Sequence, residues 1–295
     1  MTFLLPISAF IFGLMAAQFK FAEQLKKILS SLLARLFIPV VIIYNMVFYQ
    51  AGSFALILFS FTASVLLFYV FAYSSKDRLQ ALCSSYSNIG WLGFPFAIAL
   101  FGDQVSAAMI ALYIGGSLFG NIWAVAAVSE GPTDYVATLR KVVKSPPVLA
   151  LLIALILWGI GCQSLEGNLV LEWSYDVAKF GMSFAGMCIL GMWLRHTRVH
   201  VADLIFSTRA LIVKMLFGIL ICTLTYYFIP IPNIEFLLPV LFLLFCLPPA
   251  ANIVALETHY QGTGVSARYI AAGTMVSCLV IIMYGILLHV KSALI

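Results

Sequence analysis

Charge is scarce in this chain. Asp, Glu, Lys and Arg make up 9% of its 295 residues, against roughly 25% in an average soluble domain. That scarcity excludes a soluble globular protein, a disordered chain and a nucleic-acid binder, each of which needs many charges. Cysteine pairing patterns are missing as well. The six cysteines lie far apart with no CxxC spacing, and the four histidines form no ligand pattern. The cysteines read as small buried hydrophobes, and neither a metal nor another cofactor is expected. No GxxxxGK[ST] motif is present, so ATP is not the expected energy source. The spans carry no cluster of acids and no His/Asp pair, so an enzyme is not expected either. No basic residue precedes the first apolar stretch and Lys20 follows it. That is the wrong order for a cleavable signal peptide, and residues 3–19 are expected to stay as a first span.

What the chain has is apolar length. Hydrophobic residues make up 63% of it, and roughly 20 such residues cross a bilayer. Ten stretches can be marked: 3–19, 28–48, 51–73, 80–101, 105–129, 146–162, 174–194, 210–229, 236–257 and 266–290. With the N-terminus outside, 14 of the 16 basic residues fall in cytoplasmic gaps or adjoining span ends, Lys214 among them. Only Lys179 and Lys291 fall on the other side. The positive-inside rule then puts both termini on the non-cytoplasmic face. Trp158, Trp173 and Trp193 sit near span ends, as interfacial anchors do. Gly116-Ser-Leu-Phe-Gly120 has the GxxxG form of close helix packing. Asp176 and Lys179, three apart, suit a helix-surface ion pair.

A local repeat divides the chain. Gly102-Asp-Gln-Val-Ser-Ala-Ala-Met-Ile-Ala111 aligns with Gly262-Thr-Gly-Val-Ser-Ala-Arg-Tyr-Ile-Ala271 at an offset of 160 residues. Each copy leads into the last span of a group of five. An odd number of spans inverts the second group, the arrangement found in many secondary transporters. The expected organisation is a first five-helix repeat over 1–130, a short cytoplasmic linker over 131–145 and an inverted repeat over 146–295. The expected fold is all-α, with ten transmembrane helices.

Two spans should be broken. Span four contains Cys83-Ser-Ser-Tyr-Ser-Asn-Ile-Gly-Trp-Leu-Gly-Phe-Pro95, polar and glycine-rich for a membrane interior. Span nine contains Leu247-Pro-Pro-Ala-Ala-Asn252, and consecutive prolines remove two helix donors. The 160-residue offset equates Asn88 with Pro248. Paired interruptions of this kind point to a transport site near the midplane. Half-helix N-termini favour an anion, and Asn88 and Asn252 can donate hydrogen bonds to a carboxylate. Ser84, Ser85 and Ser87 offer hydroxyls, and Asn45 in span two is a further polar candidate. Glu257 is a candidate carrier of a coupling proton, and Arg35 is expected to snorkel. With so few ionisable residues inside the spans, an anion is expected to be held by backbone dipoles and amides rather than by a buried charge.

Asn88-Ile-Gly90-Trp-Leu-Gly93-Phe-Pro95, followed by Leu100-Phe-Gly102, resembles the fourth span of the auxin efflux carrier family. Leu247-Pro248-Pro249-Ala-Ala-Asn252 looks like the matching crossover of span nine. Lys144-Ser-Pro146-Pro147 and Leu190-Gly-Met-Trp-Leu194 also resemble that family. The resemblance implies two inverted five-helix repeats, a fold shared with bile-acid sodium symporters. It also implies broken helices crossing at the substrate site and an elevator-like movement of a core against spans one, two, six and seven. It implies a small organic anion as substrate. The candidate substrate-binding set is Asn45, Ser87, Asn88, Gly90, Gly93, Pro95, Pro248, Pro249 and Asn252. Spans seven and eight lack the proline that the family often has. The middle gap is short where plant hormone carriers have a long loop, which favours a compact prokaryotic-type carrier in an inner membrane. A coupling proton or sodium ion and a second copy of the chain stay open as partners. Two other readings stay open: an ion-coupled carrier like the bile-acid symporters, and a transporter-like sensor that binds its ligand without moving it.

Overall fold

The computed structural model describes residues 4–48, 52–128, 140, 143–251, 253–254 and 265–294. These are helical apart from turns and short extended pieces. The helices are α1 (Leu4–Ala16), α2 (Ala22–Leu32), α3 (Ile38–Val47), α4 (Ser53–Ser75), α5 (Arg78–Ser85), α6 (Phe94–Phe101) and α7 (Ser106–Val128). After them come α8 (Pro146–Gly159), α9 (Leu169–His196), α10 (Val201–Phe228), α11 (Ile234–Cys246) and α12 (Val265–Leu294). Six helical segments are long and apolar enough to cross a membrane: Ala22–Val47, Ser53–Ser75, Asp103–Trp123, Leu169–Arg195, Val201–Phe228 and Val265–Val290. Four shorter apolar helices accompany them, at Leu5–Ala16, Ile89–Phe101, Pro146–Gly159 and Ile234–Cys246. The chain is an all-α, multi-pass membrane protein. Asn252, Glu257 and the first residues of the second repeat copy, from Gly262, lie outside the described residues, as does most of the expected linker.

The chain forms two compact units. The first comprises Met1–Phe61, Gly90–Ile122 and Thr133–His196; the second comprises Thr62–Ile89, Trp123–Pro132 and Thr197–Ile295. In lipid, burying apolar side chains gains little, so helix association depends on tight packing and polar contacts.

The first unit shows the packing. α1 lies along α9, and glycines let the backbones touch. A Cβ on Gly13 would collide with the backbone of Cys188, and one on Gly191 with the Phe10 carbonyl. Gly115, beside the GxxxG pair, meets the Ile57 carbonyl in the same way. α3 packs on α8, whose first turn holds Pro146 and Pro147 where a helix needs no donor. Two π-helical segments interrupt this unit, Leu33–Phe37 and Ile89–Gly93, the second starting at the unit's edge. Each ends two residues before a proline, Pro39 and Pro95. A proline cannot continue the regular ladder, and the widened turn is how each helix accommodates the missing donor.

The second unit is built around α10, which packs on α11, α12 and α5. The α5 N-terminus is capped by Asp77, whose Oδ1 accepts from the Leu79 and Gln80 amides at 2.8 and 3.1 Å. The α10 N-terminus is closed by Asp203, which accepts from the His200 amide at 3.1 Å. Asn233 enters α11 in the left-handed region, at φ 54°.

Candidate functional site

The second unit holds both expected breaks. α5 stops at Ser85, and Tyr86 is extended at φ −88°, ψ 101°. Helix resumes only at Ile89, as the π-helical segment leading to α6. α11 stops at Cys246, and Leu247 is extended at φ −74°, ψ 148°. The sequence dictates this second break. A residue before proline is driven out of the helical region, so Pro248 extends Leu247 and Pro249 extends Pro248.

The two extended pieces pair with each other. The Asn88 amide donates to the Pro248 carbonyl at 2.8 Å, and the Ala250 amide donates to the Tyr86 carbonyl at 2.8 Å. Ser87 and Pro249 face each other between those bonds as one antiparallel bridge. In such a non-hydrogen-bonded pair neither central N–H is needed by the ladder, so Pro249 leaves no donor missing. Asn88 and Pro248, equated by the sequence offset, are thus hydrogen-bonded to one another.

Lys214 joins this crossing from α10. Its Nζ donates to Ser87 Oγ at 2.7 Å and to the Leu247 carbonyl at 2.7 Å. Ser87 Oγ itself donates to the Leu244 carbonyl at 3.3 Å. The serine proton is therefore engaged, and the serine can only accept from Lys214. Leu247 lies just past the end of α11, where carbonyls lack helical partners and a cation is favoured. Lys214 is 4% exposed, and no carboxylate pairs with it among the described residues.

Beside Lys214 is a cavity of about 30 Å³, walled by Ser84, Ser207, Ser277, Tyr269 and Pro249. Ser84, Ser207 and Ser277 are all buried, an unusual density of hydroxyls for a membrane interior. α12 reaches the crossing through Gly273, where a Cβ would lie 2.7 Å from Pro249 Cδ. Gln80 Nε2 donates to Tyr269 Oη at 3.4 Å at one edge of this wall.

The structure therefore brings Ser87, Asn88, Pro248 and Pro249 together. Of the other candidates, Asn45, Gly90, Gly93 and Pro95 belong to the first unit, and Asn252 lies outside the described residues. Gly90 lies against Tyr113, whose Cε2 would be 2.8 Å from an added Cβ. Gly93 precedes α6, and Pro95 is buried in its first turn. Asn45 Nδ2 donates to the Val41 carbonyl of its own helix at 2.8 Å. Ser85 Oγ likewise donates to Ala81 in its own helix at 2.8 Å. Among the described residues no three His, Cys, Asp or Glu side chains gather as a metal-binding set.

Two expectations change. Lys214 was expected at the edge of a cytoplasmic gap, and it lies buried in the middle of α10. Few ionisable residues were expected inside the spans, with an anion held by backbone dipoles and amides rather than by a salt bridge, and Lys214 puts a buried amine at the crossing. The physical reason is the helix boundary. α10 begins at Val201, not near 210, so Lys214 is too far from that end to snorkel. The missed signal was a lysine flanked by long apolar runs on both sides, the pattern of a functional intramembrane charge.

No protein-family model matches the chain, and no curated protein matches it. The functional reading rests on the crossing and its chemistry.

Proposed function

We propose that the chain is a secondary carrier of a small organic anion, a carboxylate, of the auxin efflux carrier kind. On this reading ten spans form two inverted five-helix repeats, both termini lie on the non-cytoplasmic side of a prokaryotic-type inner membrane, and transport follows an elevator-type cycle. The observation that supports it most is Lys214. It is a cation deep in a spanning helix, at the meeting of two broken ones, bonded only to neutral acceptors among the described residues. A buried charge without a counter-ion is expensive in lipid and is kept where function uses it. A carboxylate supplies the missing countercharge, and charge-assisted hydrogen bonds are the strong ones.

An alternating-access cycle would open this small cavity to each side of the membrane in turn. The test is a thermal-shift screen of purified protein against mono- and dicarboxylates over a pH and sodium series, followed by counterflow in proteoliposomes. Exchange of at least one carboxylate is expected. Binding without exchange would assign a sensor, and no carboxylate binding at all would sink the anion reading. Labelling of a cysteine placed in 197–200 from outside intact cells would contradict the orientation.

A further inference from the structure

A second concavity in the second unit begins at Ile219, five residues along α10 from Lys214, and runs towards the end of that helix. It is an open groove of about 530 Å³ among α10, α11 and α12. Its apolar walls include Ile219, Leu238, Phe242 and Leu288. At its mouth are Tyr226, Tyr227 and Glu235, beside the turn over 229–233 that joins α10 to α11. Tyr226 Oη and Glu235 Oε1 are 3.4 Å apart. Ile219 is seven residues before Tyr226 on the same helix, about 10 Å further along at 1.5 Å per residue. The groove thus runs from a helix-end mouth, polar and hydroxyl-rich, to an apolar floor on helices long enough to span a membrane.

We propose that this groove is a binding site for phosphatidylethanolamine, with one acyl chain on the floor and the ammonium head group at Glu235. Three observations select this lipid. Among the described residues, the one charged side chain lining the groove is acidic, and no described Lys, Arg or His lines it. Glu235 offers acceptors of two kinds. Its carboxylate is exposed at the mouth. Its backbone carbonyl is the one that residue 239 would serve in a regular helix, and Pro239 has no N–H to give. An ammonium carries three donors and matches that pair. Tyr226 Oη donates to Glu235 Oε1, and the Tyr227 hydroxyl can donate to the lipid phosphate, as interfacial tyrosines do. Tyr284 Oη donates to the Pro239 carbonyl at 3.1 Å, which holds the proline turn of α11 to α12 and keeps the groove walled on that side.

The test uses delipidated full-length protein in detergent, incubated with equal phosphatidylethanolamine and phosphatidylglycerol and read by native mass spectrometry. A preference of roughly two- to fivefold for phosphatidylethanolamine is expected, the size of one partly exposed ion pair. Glu235→Gln should remove the preference while the melting temperature stays close to wild type. Leu238→Trp, which fills the floor, should reduce retention of both lipids. Equal or greater retention of phosphatidylglycerol by the unmodified protein overturns the proposal. So does an unchanged preference in Glu235→Gln, and so does a dimer whose formation displaces the lipid, since the groove would then belong to a second copy.

Discussion

Two lysines, one in each unit, show what burial and partners do to the same side chain. Lys179 in α9 bonds Asp103 at 3.1 Å and Asp176 at 3.3 Å, and its ammonium lies 5.1 Å from the centre of the Tyr175 ring. Both acids are 67% exposed. Its charge is neutralised locally, and water screens what remains, so such a cluster contributes little to stability. It fastens α9 to the 102–105 turn of its own unit. Lys214 is 4% exposed and touches a hydroxyl and a carbonyl. These orient the Lys214 amine and supply no countercharge. The pairing chemistry separates a structural cation from one available to a ligand, and lysine content alone does not.

The comparison can be broken experimentally. The largest effect is expected for Lys214→Met, which keeps the stem and removes the charge. Losing one partner of a buried charged network is worth about 3–5 kcal/mol, so carboxylate counterflow should fall by ~100-fold or more at equal membrane abundance. Gly273→Ala comes next. The new methyl would press on Pro249, and overpacking of this kind is destabilising by about 1–3 kcal/mol, visible as a lower melting temperature with weakened counterflow. Unchanged melting would mean that α12 does not set the position of the crossing. Ser87→Ala removes one acceptor from Lys214 and one donor to Leu244; a loss of about 1 kcal/mol, or roughly fivefold in counterflow, is the expected outcome. Lys179→Met should be smallest, within ~1 kcal/mol in stability and nearly wild-type in counterflow. A defect in Lys179→Met as deep as that of Lys214→Met would erase the distinction between the two lysines.

The breaks were legible because proline chemistry is local. Pro248-Pro249 forbids helix in the residues just before it, and the polar run Ser84–Asn88 marked the partner segment. That the two would bond to each other was only hinted at by the 160-residue offset. Asp176 and Lys179 were readable as a pair because helical spacing brings them together, but Asp103 was not, since it is 76 positions from Lys179. Lys214 was misplaced because apolar periodicity locates a span's centre better than its end. The start of α10, fixed by the His200–Asp203 cap, carries polar and charged residues that hydropathy reads as loop. Asn45 shows what spacing alone leaves out: its amide, a candidate in the sequence, donates to the Val41 carbonyl one turn earlier. The two-unit division was also not readable, because the chain changes unit within α4, at Ile89–Gly90 and within α7.

The bridge between Ser87 and Pro249 has a consequence for how the protein is made. Asn88 can reach its acceptor only after Pro248, 160 positions later, has left the ribosome. At roughly 5–20 residues per second, the Tyr86–Asn88 segment waits about 8–32 seconds in the membrane with its amide and carbonyl unmatched by the native partner. Something else must satisfy those groups meanwhile, such as water in the insertion machinery or a temporary helical continuation. A nascent chain halted before residue 248 should therefore be a marked target for membrane proteases, while one released after residue 254 should already be protected across its middle.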